Sequence, residues 1–112
     1  MQGNVKILGR SFTAAGTLAQ YQPVDATGAA CTAGGNAIGT ADVAAVSGDR
    51  FNATVMGTAL AVAGAAISAG ALVEVGSTVS KVVTKSTGVA IGRALSAAAA
   101  DGDIIEVLLI AN

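Results

Sequence analysis

Short runs of alternating apolar and polar residues, separated by glycines, recur along this chain. Val, Ile and Thr cluster in these runs, whereas glycine recurs too often for long helices. The pattern predicts an all-β chain with turns at the glycine-containing joints. The predicted strands cover residues 5–8, 18–24, 29–32, 37–44 and 51–56 in the first half, and residues 59–63, 72–75, 81–84, 89–95 and 104–110 in the second.

The second half gives the clearest local predictions. Residues 72–75 alternate, residues 77–80 can turn and residues 81–85 return, which is typical of a β-hairpin. The alanine run at residues 96–100 precedes the turn dipeptide Asp101-Gly102, and we expect a loop there in preference to a helical turn. The tail from residue 104 is almost continuously apolar, which predicts the most buried strand.

Three sequence elements occur twice in the same order, about 53 to 54 residues apart. They are Ala15-Gly16-Thr17-Leu18 with Ala69-Gly70-Ala71-Leu72, Gly35-Asn36-Ala37-Ile38-Gly39 with Gly88-Val89-Ala90-Ile91-Gly92, and Gly48-Asp49 with Gly102-Asp103. An alternating stretch follows each Gly-Asp pair. We predict one compact β-sandwich or barrel over residues 1–112, built from two similar halves at about 13–56 and 67–110; chance similarity among abundant Ala and Gly residues is the alternative.

The composition predicts a thin core. Hydrophobic residues make up 53% of the chain, but alanine supplies much of that fraction, and the aromatic residues are Phe12, Tyr21 and Phe51. Alanine buries little area per residue, and burial stabilises by roughly 25 cal/mol per Å². Packing between subunits would supply the missing stabilisation, so we predict a homo-oligomer.

Charge and cysteine content narrow the classes of partner. The net charge is −1 and only 12% of residues are charged, which leaves no basic cluster for nucleic acid or an anionic membrane. No charge occurs between Arg50 and Glu74, and the apolar residues 57–67 could suggest a transmembrane helix, but most of those residues are Ala and Gly. Cys31 is single, so we expect a buried thiol, and no signal peptide is visible. We therefore predict no nucleic-acid or membrane partner and an origin in a reducing cytoplasm.

Few residues are suited to catalysis. The chain has no histidine, which removes Ser-His-Asp and Cys-His mechanisms and the commonest transition-metal ligand. Asp101 and Asp103 could hold a cation or act as an acid/base pair. However, an aspartate also follows glycine at Asp49, which favours a repeated role in turns. We predict no enzyme activity, no catalytic residue, no metal and no cofactor.

The C-terminal half carries a Gly-Val-Ala-Ile-Gly strand at residues 88–92, an alanine-rich loop, and then Asp-Gly-Asp-Ile-Ile-Glu-Val-Leu-Leu at residues 101–109. Together with the Ala-Gly turn and strand at residues 67–75, these elements resemble the capsid cement, or head decoration, proteins of tailed bacteriophages. The resemblance covers the first half only through the internal repeat. It implies a β-rich subunit without an active site, usually trimeric, on the outside of the capsid where major capsid subunits meet.

The resemblance and the composition agree on a function. We predict a structural virion protein that decorates and stabilises the outer surface of a phage capsid by binding the major capsid protein as a homotrimer, because a ligand of the assembled lattice stabilises that lattice. The alternatives are a head-fibre or tail component, a small glycan-binding β module, and an enzyme with a Ser/Lys or paired-Asp site.

The N-terminal segment, residues 1–10, is the predicted capsid contact. It carries Lys6 and Arg10, whereas the matching stretch of the second half has no charge. We expect both cations at the rim of the contact, where charge sets orientation and on-rate more than affinity. A solvated edge strand is the alternative.

Overall fold

The computed structural model describes residues 5–112, and this part of the chain contains strands and no helix. The strands are β1 (Lys6–Thr13), β2 (Pro23–Val24), β3 (Gly39–Ala41), β4 (Arg50–Val62), β5 (Leu72–Val75), β6 (Val82–Thr84), β7 (Gly92–Ala94) and β8 (Ile104–Leu109). They form one antiparallel sheet in the order β2-β3-β4-β8-β7-β5-β6, and β1 pairs with β4. A bridge between Ala63 and Val82 returns β6 to the end of β4, so the sheet is a nearly closed barrel. The all-β prediction is confirmed.

The long strand β4 connects the two halves of the barrel. Its first part pairs with β1 and its last part, from Thr58, pairs with β8. Gly57 lies between these parts with φ +98, and a Cβ there would stand 2.3 Å from the carbonyl oxygen of Val5. Glycine therefore lets β4 continue through this position, next to the register shifts between β1 and β4, instead of ending there. The sequence predicted two separate strands here.

Equivalent backbone pairs occur in the two halves. In the first half, β3 pairs with β4 through Thr40↔Thr54 and Ala41↔Ala53; in the second half, β7 pairs with β8 in the same way through Arg93↔Leu108 and Ala94↔Val107. The isolated bridge Leu18↔Ala45 of the first half likewise has the counterpart Ile67↔Ala98 in the second. The turns preceding the last strand of each half also match, because Gly48 and Gly102 have φ values of +92 and +94.

The hydrogen bonds change one detail of the expected repeat. Leu18 matches Ile67, an offset of 49 residues (18 to 67), so Gly70 matches Tyr21 and not Gly16. From β3 onward the offset is 53 to 54, as the sequence suggests. The second half gains its extra residues in the β5–β6 hairpin, whose Val75↔Val82 pairing confirms the predicted hairpin. Duplication of the sequence itself stays a prediction.

Two hydrophobic clusters fill the barrel. The first-half cluster contains Phe12 and Phe51, stacked with ring centroids 5.9 Å apart. The second-half cluster is aliphatic and also takes in Cys31, a buried free thiol whose pKa is raised by burial. Alanines contribute many of the buried positions in both clusters. The side chains therefore fill a narrow core, as the composition predicts.

Of three further local predictions, one is confirmed and two are wrong. The loop over residues 96–100 is confirmed, with Ala98 bridged to Ile67. No strand forms at 29–32, because Asp25 Oδ1 accepts the Thr27 and Ala29 amide protons and holds a tight turn. The prediction that the tail is the most buried strand is wrong, since β8 buries Ile105, Glu106 and Val107 but leaves Ile104 and Leu108 exposed. Among residues 5–112, no helix has the length and apolar character needed to cross a membrane.

Candidate functional site

Strand β1 exposes an unusual set of large apolar side chains. Val5 and Ile7 are 65% and 69% exposed, and Leu8 is about half exposed. Leu8 lies opposite Met56 of β4, which is equally exposed. Clustered apolar exposure marks protein-binding surfaces, whereas single exposed side chains carry no such signal. We call Val5, Ile7, Leu8 and Met56 the β1 surface.

Lys6 lies on β1 and is tied to the fold. Its Nζ donates to Asp42 Oδ2. Asn52 Nδ2 and Thr54 Oγ1 also donate to the Asp42 carboxylate, at 2.8 and 2.7 Å. Partial burial alone would raise the pKa of Asp42, but the hydrogen bonds from Lys6, Asn52 and Thr54 outweigh it and hold the pKa below its usual value. The charge of Lys6 therefore has a role inside the molecule.

Arg10 remains at the surface of β1. Its guanidinium carbon lies 5.3 Å from the centroid of the Phe12 ring, within cation–π distance. The structure thus places both predicted cations on β1, Lys6 against Asp42 and Arg10 over Phe12. Residues 1–4 of the predicted contact segment lie outside the described residues.

An apolar groove of about 440 Å³ adjoins the β1 surface. It lies where the part of β4 paired with β3 gives way to the part paired with β8, and Met56 belongs to both the groove and the β1 surface. The other large apolar side chains in its wall are Ile38, Val55, Leu109 and Ile110.

A second apolar area covers the outer face of β7 and β8. Leu95, Ile104 and Leu108 are exposed there, and we call them the β8 surface. The side chain of Glu106 is buried among these strands, where Thr58 Oγ1 donates to its Oε2 at 2.7 Å. Thr58 Oγ1 in turn accepts the amide proton of Val5. The buried carboxylate thus links the β8 surface to the start of the β1 surface.

A polar cleft of about 430 Å³ lies on β5 at the junction of the halves. The backbone N–H of Ser86 donates to Glu74 Oε1, and this hydrogen bond is the main reason that the pKa of Glu74 is lowered. Gly34 reaches across from the first half, donating to Val75 O and accepting from Val89 N, each at 2.9 Å. The Glu74 carboxylate already accepts hydrogen bonds from Ser86, so we assign it a structural role.

Asp101 and Asp103, the alternative acid/base or cation site, also have structural partners. Asp101 pairs with Lys81 at 2.7 Å, and Asp103 Oδ2 accepts the amide protons of Ala99 and Ala100. Within the described range 5–112, no group of three or more His, Cys, Asp or Glu side chains could hold a metal ion. These carboxylates fix turns, as Asp49 does for the amide of Val46.

A family model for phage cement proteins matches residues 6–109. The chain belongs to the phage cement protein family. It is therefore a structural virion protein that decorates the capsid surface, as the sequence predicted.

The fold of this cement protein is similar to that of a solved phage protein, described as the head fiber gp8.5 N base in bacteriophage phi29. The TM-score is 0.74 at 15% sequence identity, with 92% of this chain and 93% of that chain covered. At this identity the likeness concerns the fold. A comparison with curated proteins finds no match.

The sequence revealed only part of the surface of this cement protein. The alternation of Val5, Lys6 and Ile7 was a visible signal of an edge strand. The pairing of Leu8 with Met56 could not be predicted from the sequence, because it depends on a register shift next to Leu8. Asp42 was also missed, since its partner Lys6 lies 36 residues away.

Proposed function

We propose that this cement protein binds the major capsid protein where capsid subunits meet, and that it does so through the β1 surface with Lys6 and Arg10 at the rim. The concentration of exposed apolar side chains on β1 carries this proposal. Covering them on the capsid would stabilise the complex by roughly 25 cal/mol per Å² of apolar area removed from water. Binding only to the assembled lattice would stabilise that lattice.

Point substitutions test the β1 surface better than a deletion does. Removing residues 1–10 would take away most of the pairing between β1 and β4. Ile7→Asp instead adds one charge at an exposed side chain, and Ala66→Asp adds the same charge at an exposed loop residue as a control. Ile7→Asp should weaken binding to capsids stripped of this protein at least tenfold, about 1.4 kcal/mol, while Ala66→Asp binds normally. Equal affinity of both variants would reject the β1 surface.

We also propose a homotrimer in which the β8 surface packs between copies. The thin core and the exposed Leu95, Ile104 and Leu108 support this assembly, because interfaces between identical subunits are more apolar than transient ones. Leu108→Asp should lower the molar mass measured by light scattering from that of a trimer to that of a monomer, whereas Ala66→Asp should leave it unchanged. A wild-type monomer at micromolar concentration would contradict the trimer.

We propose further that the protein has no catalytic activity and acts by binding alone. The structural character of the family and the engagement of Asp101 and Asp103 in turns support this. The head-fibre alternative has one observation in its favour, the fold shared with the phi29 head fibre base. Electron microscopy of purified particles separates the two: cement lies flat at subunit junctions, whereas a fibre component supports a projecting appendage.

A further inference from the structure

One turn of the first half places a bulky residue where the matching turn of the second half has glycine. Gln22 N donates to Ala19 O across a turn in which Tyr21 has φ +67. In the matching turn Ala71 N donates to Ser68 O, and Gly70 has φ +90. Positive φ suits glycine and is disfavoured for a residue as large as tyrosine. The backbone of this turn therefore gives no reason for the tyrosine.

The loop beside this turn shows the same difference. Val43 and Val46 are 50% and 57% exposed. Matching backbone hydrogen bonds identify the second-half counterparts of these valines. The bond from Asp42 N to Asn52 O matches the bond from Leu95 N to Glu106 O, so Asp42 corresponds to Leu95. The bond from Asp49 N to Val46 O matches the bond from Asp103 N to Ala100 O. Val43 thus corresponds to Ser96, and Val46 to Ala100. Because the second half forms this loop with small residues, the fold does not require either valine.

The Tyr21 turn adjoins strand β1 through Asp42. Gln20 Nε2 donates to the backbone oxygen of Asp42 at 3.2 Å, while Lys6 Nζ donates to the side chain of the same residue. Tyr21 N donates to Ala41 O, the residue before Asp42. Tyrosine supplies a large contact area and a hydroxyl at a small cost in conformational entropy, and it is enriched among residues that dominate binding energy.

We infer that Tyr21, Val43 and Val46 extend the capsid-binding area beyond the β1 surface, an inference that rests on the proposed capsid binding. The partner surface is apolar and uncharged and offers a hydrogen-bonding group to the Tyr21 hydroxyl. The disfavoured backbone at Tyr21 persists because the side chain makes this contact.

Exchanging these residues for their second-half counterparts tests the inference. The full-length variants are Tyr21→Gly, Val43→Ser and Val46→Ala, singly and combined, and the controls at exposed positions are Ala66→Val and Ala100→Val. The combined variant should keep the wild-type molar mass and a thermal midpoint no lower than that of the wild type, yet bind stripped capsids at least tenfold more weakly. The controls should bind as the wild type does.

The other outcomes separate this inference from the proposed function. Wild-type affinity in the combined variant would overturn it, as would loss of the oligomer, which would assign the surface to a second copy. If Tyr21→Gly does not fold, the premise that glycine suits this turn is overturned, and Val43→Ser still tests the loop. If Ile7→Asp binds capsids normally while the combined variant does not, the β1 surface is rejected as the capsid contact and the surface formed by Tyr21, Val43 and Val46 is supported.

Discussion

The outer faces of the two halves differ sharply although their backbones pair alike. In the first half Asp42, Asn52 and Thr54 form a hydrogen-bonded polar network that Lys6 covers. The matching positions in the second half hold Leu95, Glu106 and Leu108, and both leucines are exposed. Hydrogen bonds satisfy the polar groups at these positions of the first half, whereas the second half exposes apolar side chains at two of the three matching positions. Side chains, and not the shared backbone pairing, therefore distinguish these outer surfaces of the two halves.

The cores differ in the same way. The paired residues Phe12 and Phe51 of the first half correspond to Ala61 and Ile105 of the second. A stacked aromatic pair fills the first cluster, while several Val and Ile side chains share that task in the second. Stability should therefore depend on few residues in the first half and on many in the second.

Truncating the aromatic pair should have the largest effect. Phe51 is buried and stacked on Phe12, so Phe51→Ala should lower the free energy of unfolding by about 3–5 kcal/mol. Ile105→Ala, the same truncation at the corresponding second-half position, should cost less, about 2 kcal/mol, because several neighbouring Val and Ile side chains share that part of the core. Denaturant unfolding at fixed protein concentration measures both. Equal losses would show that the two cores do not differ as described.

A substitution at the junction of the halves should have an intermediate effect. A Cβ at Gly88 would lie 2.6 Å from the Cα of Gly34, as well as too close to Glu74 Oε2. Gly88→Ala should therefore destabilise the protein by about 1–3 kcal/mol. At Gly16 an added Cβ meets no atom within 4 Å, so Gly16→Ala is the control. Thermal unfolding that leaves both variants unchanged would contradict the close contact between the loops.

Acidification should lower the free energy of unfolding by a smaller amount, through the hydrogen-bonded network around Asp42 in the first half. The pKa of Asp42 in the folded protein lies below its ordinary 3.8, so its network stabilises the fold fully above pH 3.8. That contribution is lost as the pH falls through the folded pKa. Unfolding measured from pH 6 down to pH 2 should show a shallower loss for Asp42→Asn than for wild type. Glu74→Gln removes another carboxylate of lowered pKa and serves for comparison. Identical pH profiles for Asp42→Asn and wild type would contradict the role of Asp42.

Local chemistry made part of this fold predictable. Gly48-Asp49 and Gly102-Asp103 were recognisable because a glycine of positive φ followed by a capping aspartate is a local turn device. The β5–β6 hairpin was predictable for the same reason, since its strands are adjacent in sequence.

The missed features depend on groups far apart in the chain. The continuity of β4 through Gly57 requires the close approach of Val5, 52 residues earlier (5 to 57). The exposure of Ile104 and Leu108 in β8 could not be deduced from its apolar sequence, because no part of one subunit covers these two side chains. The polar partners of the candidate surface, Lys6 and Asp42, meet only after β1 pairs with β4.

The orientation of the subunit on the capsid decides whether the β1 surface is the capsid contact. A near-atomic electron microscopy map of the decorated particle would show which face meets the major capsid protein. We expect Ile7, Leu8 and Met56 to lie against that protein and Leu108 to face another copy of this chain. A map in which β1 faces solvent and the opposite side of the barrel meets the capsid would contradict this expectation.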